Sequence, residues 1–98
     1  MSIHSPAQRV VITGMGVVAP TGHDLATFTT NLFAGKVAAS QVTFNRPMGS
    51  FSYPAYPVTD FHAEDHFDPK RLGLYDRFTQ FAVVAARQAW RDSGLTMT

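Results

Sequence analysis

The stretch Arg9-Val-Val-Ile-Thr-Gly-Met-Gly-Val-Val-Ala-Pro-Thr-Gly22 decides how the rest of the chain must be organised. It begins with Val10, Val11 and Ile12, an unbroken β-branched run that is typical of a strand covered on both faces. The glycines and the proline that follow permit positive φ or fix φ, which predicts a tight, apolar turn. We therefore expect a buried strand over Gln8–Thr13, followed by a turn that leads to the first helix.

The composition favours a protein whose surface meets other protein. Of the 98 residues, 45% are hydrophobic and only 15% are charged, whereas the average charged share is about 25%. The net charge of +1 gives no reason to expect nucleic acid or a membrane as a partner. No cysteine is present, which excludes disulfides and a thiolate nucleophile within this sequence. Without a signal-peptide pattern or a membrane-spanning apolar run, a soluble, cytoplasmic α/β protein is expected.

The first helix is predicted over Leu25–Ala34. Asp24 can cap it, because a short carboxylate accepts from the free amides of a first helical turn. Gly35 stands where a C′ glycine is favoured. Residues 1–8, ahead of the strand, are predicted to be a disordered lead-in.

Residues 36–67 carry few helical signals but many aromatic side chains. Prolines and glycines interrupt this looped excursion, so it must lie irregularly against some other part of the protein. We expect at most two short edge strands here, at Val42–Phe44 and Pro57–Asp60.

A second, longer helix is predicted over about residues 76–92. Asp68 and Pro69 open the helical region as cap and first helical residue, and Gly73 separates an initial turn from the long helix. Gly94 follows the end of that helix. Apolar residues occur nearly all round it, which predicts a helix buried on more than one side.

The glycine turn also fits the dinucleotide-binding pattern G-x-G-x-x-A, with Gly14, Gly16 and Ala19 at the fixed positions. Such a site needs a helix that starts at the turn and points its N-terminus at the pyrophosphate. Pro20 and Gly22 would interrupt that helix, and the acidic residue expected about 20 positions later is missing. A structural turn is the better interpretation, and no cofactor is expected.

His62 and His66 are four residues apart and would share one face of a helix, where zinc could bind with a third ligand. The intervening sequence does not match H-E-x-x-H, because the first acidic residue lies at the third position. The stretch lies in a loop-like region between Phe61 and Phe67. A solvated polar turn is therefore preferred over a metal site.

A small charged cluster of Lys70, Arg71, Asp76 and Arg77 precedes and opens the long helix. A solvated helix end is the simpler interpretation of this cluster, and docking of an acidic partner is the functional alternative. No Ser/His/Asp set or carboxylate pair has a spacing that indicates catalysis.

Several segments together resemble the N-terminal quarter of the β-ketoacyl-acyl carrier protein synthases, the elongating condensing enzymes of fatty-acid and polyketide synthesis. The similarity runs over about residues 8–95, in the order and with the spacing of that family. The segments that carry it are the opening stretch, Leu32-Phe-Ala-Gly-Lys36, Asp60-Phe61, Asp76-Arg-Phe-Thr-Gln-Phe-Ala82 and Asp92-Ser-Gly-Leu95.

The resemblance implies a thiolase-like fold, a duplicated, layered α/β architecture several times longer than this chain, which works as a homodimer. Residues 9–98 would form an incomplete N-terminal domain: the first strand, the following helix, the looped excursion and the long buried helix. The family's nucleophile is a cysteine assisted by two histidines, and none of the four histidines here matches them. No catalytic, cofactor-binding or metal-binding residue is therefore assigned.

One partner role follows from the resemblance. In this family a basic stretch just before the Asp-Arg-Phe segment helps to dock the acidic acyl carrier protein. Lys70 matches that stretch and Arg71 adds charge, whereas Gly73 and Leu74 stand where further basic residues are common. Lys70 and Arg71 are therefore predicted to dock the carrier.

The leading interpretation is an N-terminal fragment of an acyltransferase that condenses malonyl-carrier with an acyl thioester, itself inactive because it lacks the nucleophile. One alternative is a fragment of a chain-length factor, a non-catalytic homologue that forms heterodimers in polyketide synthesis. The other is a free-standing binding module, which would fold cooperatively and which the uncovered apolar helix argues against.

Overall fold

The computed structural model describes residues 8–96 and shows a small α/β chain of two helices and one β-hairpin. In chain order its elements are α1 (Leu25–Phe33), β1 (Ser40–Arg46), β2 (Gly49–Ala55) and α2 (Arg77–Ser93). Two short 3₁₀ turns, Ala63–Asp65 and Leu72–Leu74, lie between the hairpin and α2. The predicted disordered lead-in at residues 1–8 lies, apart from Gln8, outside the described residues.

Helix α1 confirms the prediction at both ends. The carboxylate of Asp24 accepts a hydrogen bond from the backbone N–H of Thr27 at 2.7 Å. At the other end Ala34 is the C-cap, and Gly35 follows with φ 70°. Glycine adopts this left-handed conformation without the steric cost of a Cβ.

Helix α2 also begins and ends close to the predicted residues. It starts at Arg77, after the extended Asp76, and its C-cap Gly94 has φ 72°. The separate turn that Gly73 predicts is present, since the Arg71 N–H donates to the Asp68 carbonyl at 2.8 Å. Within residues 8–96 neither helix has the length and hydropathy needed to cross a membrane.

The looped excursion contains a β-hairpin, where only short edge strands were predicted. β1 and β2 pair antiparallel in a register that sets Val42 opposite Tyr53 and Phe44 opposite Phe51. Val42–Phe44 lies inside β1, but the predicted strand at Pro57–Asp60 is wrong. Pro54 does not end β2, because a proline is tolerated on an edge strand where no ladder N–H is needed.

The predicted buried strand over Gln8–Thr13 is also wrong for the described chain. No strand forms there, and Val10 and Ile12 are 92% and 81% exposed. The physical reason is that a strand exists only through its hydrogen-bonded neighbours. In the described range β1 and β2 pair with each other and leave no strand beside this segment.

The small core lies where the segment after the hairpin packs against α2. Its buried members are Phe61, Ala63, Phe67 and Val84. The prediction that the long helix is buried on more than one side holds only in part. The core segment covers the side that carries Val84, and the glycine turn lies against Ala85 and Ala89. The rest of the helix is exposed, as Phe78 and Trp90 show with 71% and 47% exposure.

Candidate functional site

Lys70 and Arg71 lie on the exposed turn that joins the core segment to α2. The carboxylate of Asp68 accepts from the Lys70 backbone N–H at 3.0 Å, and the Asp68 carbonyl accepts from the Arg71 N–H. Both basic side chains are exposed. The backbone that carries them is therefore held in place, while their charged ends are open to a partner.

Arg77 is not available for docking in the way that Lys70 and Arg71 are. Its guanidinium lies 4.9 Å from the centre of the Phe61 ring and 5.1 Å from that of Phe81. It also donates to the Phe61 carbonyl at 3.3 Å. The charge of Arg77 is thus used to fasten the core segment to the start of α2, through cation–π and hydrogen-bond contacts.

Arg87, which the sequence reasoning missed, does lie beside the turn. Its guanidinium lies 4.9 Å above the Phe67 ring, and its Nη1 donates to the His66 carbonyl. The side chain remains exposed overall. The sequence signal for it is a pair of arginines one helical turn apart, Arg87 and Arg91, in the second half of α2.

Two adjoining cavities meet at Arg87. The smaller, of about 320 Å³, is lined by His66, Phe67, Asp68, Arg71, Tyr75 and Arg87. The larger, of about 480 Å³, is lined by His23, Asp24, Asp65, His66, Val84, Arg87, Gln88 and Arg91. Its Asp24 is already engaged as the α1 cap, and the hydrogen bond from the Thr27 backbone lowers the pKa of that carboxyl.

The glycine turn does not form a phosphate-binding site. A Cβ on Gly14 would lie 2.2 Å from the Ala89 carbonyl oxygen, and one on Gly16 would lie 2.0 Å from that of Ala85. The turn thus lies directly against α2, and the glycines are needed for that close approach. Two of its amides are also occupied, because the Met15 and Val17 N–H groups donate to the α2 side chains of Asp92 and Gln88 at 3.0 Å each.

The two histidines of the predicted polar turn point to different partners. His62 lies 3.6 Å from the carboxylate of Glu64, whereas the His66 ring stacks on Phe61 at 5.2 Å between centroids. Across residues 8–96 no three metal-ligating side chains come together. The arrangement agrees with the interpretation of this stretch as a polar turn.

Comparison with known proteins gives one consistent result. A family model described as the N-terminal domain of β-ketoacyl synthase matches residues 7–98. The 3-oxoacyl-(acyl-carrier-protein) synthase 2 of Staphylococcus aureus (strain COL) is 40% identical over 91 residues, which cover 93% of this chain and 22% of that protein. The protein of the same name from Coxiella burnetii (strain RSA 493 / Nine Mile phase I) is 42% identical over 91 residues, covering 90% of this chain and 21% of that protein. The chain therefore spans about a fifth of these relatives, and it belongs to the β-ketoacyl synthase family, whose N-terminal domain it matches.

Proposed function

We propose that this chain is the N-terminal part of a 3-oxoacyl-acyl carrier protein synthase that elongates acyl chains in fatty-acid synthesis. The observation that carries the proposal is the family match over residues 7–98, together with the names of the relatives. In the reaction an enzyme cysteine takes the acyl group from its carrier thioester. Malonyl-carrier then loses carbon dioxide, and its carbanion attacks the acyl-enzyme to form the carbon–carbon bond and release the thiol.

In this proposal the chain contributes framework and partner binding to the enzyme, and no catalytic side chain. The resemblance assigns the nucleophile to a cysteine, which the 98 residues lack. Lys70 and Arg71 would dock the acidic acyl carrier protein, and their exposed position on a fixed turn supports this role. We also propose a thiolase-like fold for the protein as a whole, a homodimeric assembly and a cytoplasmic location.

A chimera tests the proposed activity. Residues 9–95 would replace the matching segment of the Staphylococcus aureus synthase, and condensation of malonyl-carrier with acyl-carrier would be measured. We expect a folded dimer that retains activity, because about 40% identity over the exchanged length preserves its packing contacts. The unmodified synthase is the reference.

A chimera that folds, dimerises and binds carrier but forms no product would contradict the catalytic proposal. That outcome would favour the alternative that this chain is a fragment of a non-catalytic homologue, a chain-length factor. Retained activity would leave the condensing enzyme as the simplest account.

A further inference from the structure

We propose that strand β1 pairs antiparallel with β1 of a second copy of this chain, so that the two hairpins form one four-stranded sheet. The contact would be two-fold symmetric, with Thr43 opposite Thr43 of the second copy on the axis. The hairpin of the described chain has two strands only, and a two-stranded hairpin by itself is marginally stable in water. The inference goes beyond the proposed function and does not depend on it.

The outer edge of β1 offers a complete row of backbone hydrogen-bonding groups. The turn between the strands has two residues, so the flanking pair, Arg46 and Gly49, is the hydrogen-bonded pair that closes the hairpin. In an antiparallel pair every second residue turns its N–H and C=O away from the partner strand. On β1 these outward residues are Gln41, Thr43 and Asn45, and all of them are exposed. Another strand can therefore bind along the whole of this edge.

The opposite edge of the hairpin, on β2, is partly blocked. Pro54 pairs with Gln41, which places it at an outward position, and it has no N–H to donate there. Natural sheets protect their edges with proline, charged residues or bulges. Strand β1 contains no proline, and its one charged residue, Arg46, lies at its end. A further strand is therefore expected beside β1 and not beside β2.

The sequence of β1 complements itself when two copies run antiparallel about Thr43. In this register Val42 lies opposite Phe44 of the second copy, so apolar side chains meet on one face. Gln41 lies opposite Asn45 of the second copy, so polar side chains meet on the other. The outward backbone groups of β1 also face one another in this register, which is the condition for hydrogen bonds between the two strands.

The hairpin has one aromatic and one polar face, and both would continue through the contact. Phe44, Phe51 and Tyr53 on the aromatic face are 47%, 49% and 53% exposed. On the polar face the hydroxyl groups of Thr43 and Ser52 share a hydrogen bond at 2.8 Å. Side chains that lie opposite each other on neighbouring strands pack together, so the contact would cover part of the exposed ring of Phe44.

Charge and symmetry favour a second copy over an unrelated strand as the occupant of this edge. Arg46 would lie opposite Ser40 of the second copy. The two Arg46 residues would then be about 20 Å apart along the strands, which exceeds the Debye length of about 8 Å and removes most of their repulsion. Residues equidistant from Thr43 are alike in polarity, a symmetry that only pairing of β1 with itself requires.

Single cysteines test the contact in the full chain, because the sequence contains no cysteine that could compete. Thr43→Cys places two thiols opposite each other on the axis, at a Cα separation of about 5.5 Å, which a disulfide can span. Ser52→Cys is the matched control, since Ser52 lies opposite Thr43 on the same face but on the β2 edge. After air oxidation we expect the yield of covalent dimer from Thr43→Cys to be about fivefold higher or more.

Two further variants test the orientation and the register of the strands. Gln41→Cys and Asn45→Cys should each form little disulfide alone, because identical positions lie about 13 Å apart in the proposed pairing. Mixed in equal amounts, the two variants should link to each other. Efficient linkage within Gln41→Cys alone would indicate parallel pairing and overturn the inference. Equal yields from Thr43→Cys and Ser52→Cys would also overturn it, because they would indicate unspecific association through exposed apolar surface.

The same Thr43→Cys substitution in the chimera tests the contact in an assembled synthase. Peptide mass spectrometry identifies a disulfide between two copies of this position whatever other cysteines that protein contains. We expect the link to form there as well. If it forms in the chain alone but not in the folded chimera, the remainder of the synthase covers the β1 edge and the inference is overturned. The condensation assay on the chimera is separate from this readout, so the proposed function stands or falls independently.

Discussion

At the scale of single residues, Asp24 shows how a local contact can be predicted and tested. Its carboxylate accepts from the Thr27 N–H at 2.7 Å and satisfies an amide that the first turn of α1 cannot pair internally. Asp24→Ala should destabilise this turn by about 1 kcal/mol. Hydrogen exchange at the Thr27 amide, measured in the chimera, reports the effect and should become faster in the variant.

The Asp24 cap should also depend on pH in a defined direction. The Thr27 hydrogen bond lowers the pKa of Asp24 below its ordinary value of 3.8. A lowered folded-state pKa means that the stabilisation is present above the unfolded pKa and is lost as pH falls through the folded one. Asp24→Asn retains a capping oxygen without a titrating group and is the matched control. Protection of Thr27 that does not fall on acidification in the parent would contradict the assignment.

At the scale of elements, the most informative contact is that between the glycine turn and α2. Gly16→Ala would place a Cβ 2.0 Å from the Ala85 carbonyl oxygen and 2.8 Å from the Gln88 Cβ. The turn must then move away from the helix, at a cost of about 1–3 kcal/mol for overpacking. In the chimera, the Val17 amide, which donates to Gln88, should exchange about tenfold faster or more as a result.

Gly73→Ala is the control for this substitution, because a Cβ there meets nothing within 4 Å. It should leave the exchange of the Val17 amide unchanged. Equal effects of the two substitutions would mean that the turn does not rest on α2. If Gly16→Ala left the exchange rate of the Val17 amide unchanged, the same conclusion would follow.

The sequence predicted those features that depend on neighbours in the chain. Asp24 and Gly94 mark helix ends through local backbone chemistry, so α1 and α2 were placed within about two residues, the usual uncertainty at a helix end. The position of Arg87 over Phe67 could not be predicted, because it depends on how a distant segment packs against α2. The missing strand at Gln8–Thr13 has the same cause, since strand pairing depends on neighbours that are distant in sequence.

The β-hairpin was predicted only in part. The β-branched and aromatic residues of Val42–Phe44 predicted part of β1 correctly. Gly49 and Pro54 looked like interruptions, although both lie in β2. Register decides their roles: Gly49 pairs with Arg46 beside the two-residue turn, and Pro54 pairs with Gln41 near the open end.

At the scale of the whole molecule, the exposed apolar surface is the dominant feature. The accessible surface is 8043 Å², whereas a compact monomer of 10.8 kDa would expose about 5,500 Å². Large apolar side chains are exposed throughout the described chain, among them Val10, Ile12, Phe33, Met48, Leu74 and Phe78. So much exposed apolar surface is typical of a chain that packs against other protein.

The chain alone should therefore unfold without a sharp transition. Heated in dilute buffer, it should lose its circular dichroism signal over a broad range, and light scattering should show self-association as concentration rises. The physical reason is that the four buried residues of the core, Phe61, Ala63, Phe67 and Val84, bury too little apolar area to offset the conformational entropy of 98 residues. The chimera, in which the surrounding synthase covers these surfaces, should melt sharply as a dimer. A cooperative, monodisperse 98-residue chain would contradict this expectation and favour the free-standing binding module, because the apolar faces would then serve a separate partner.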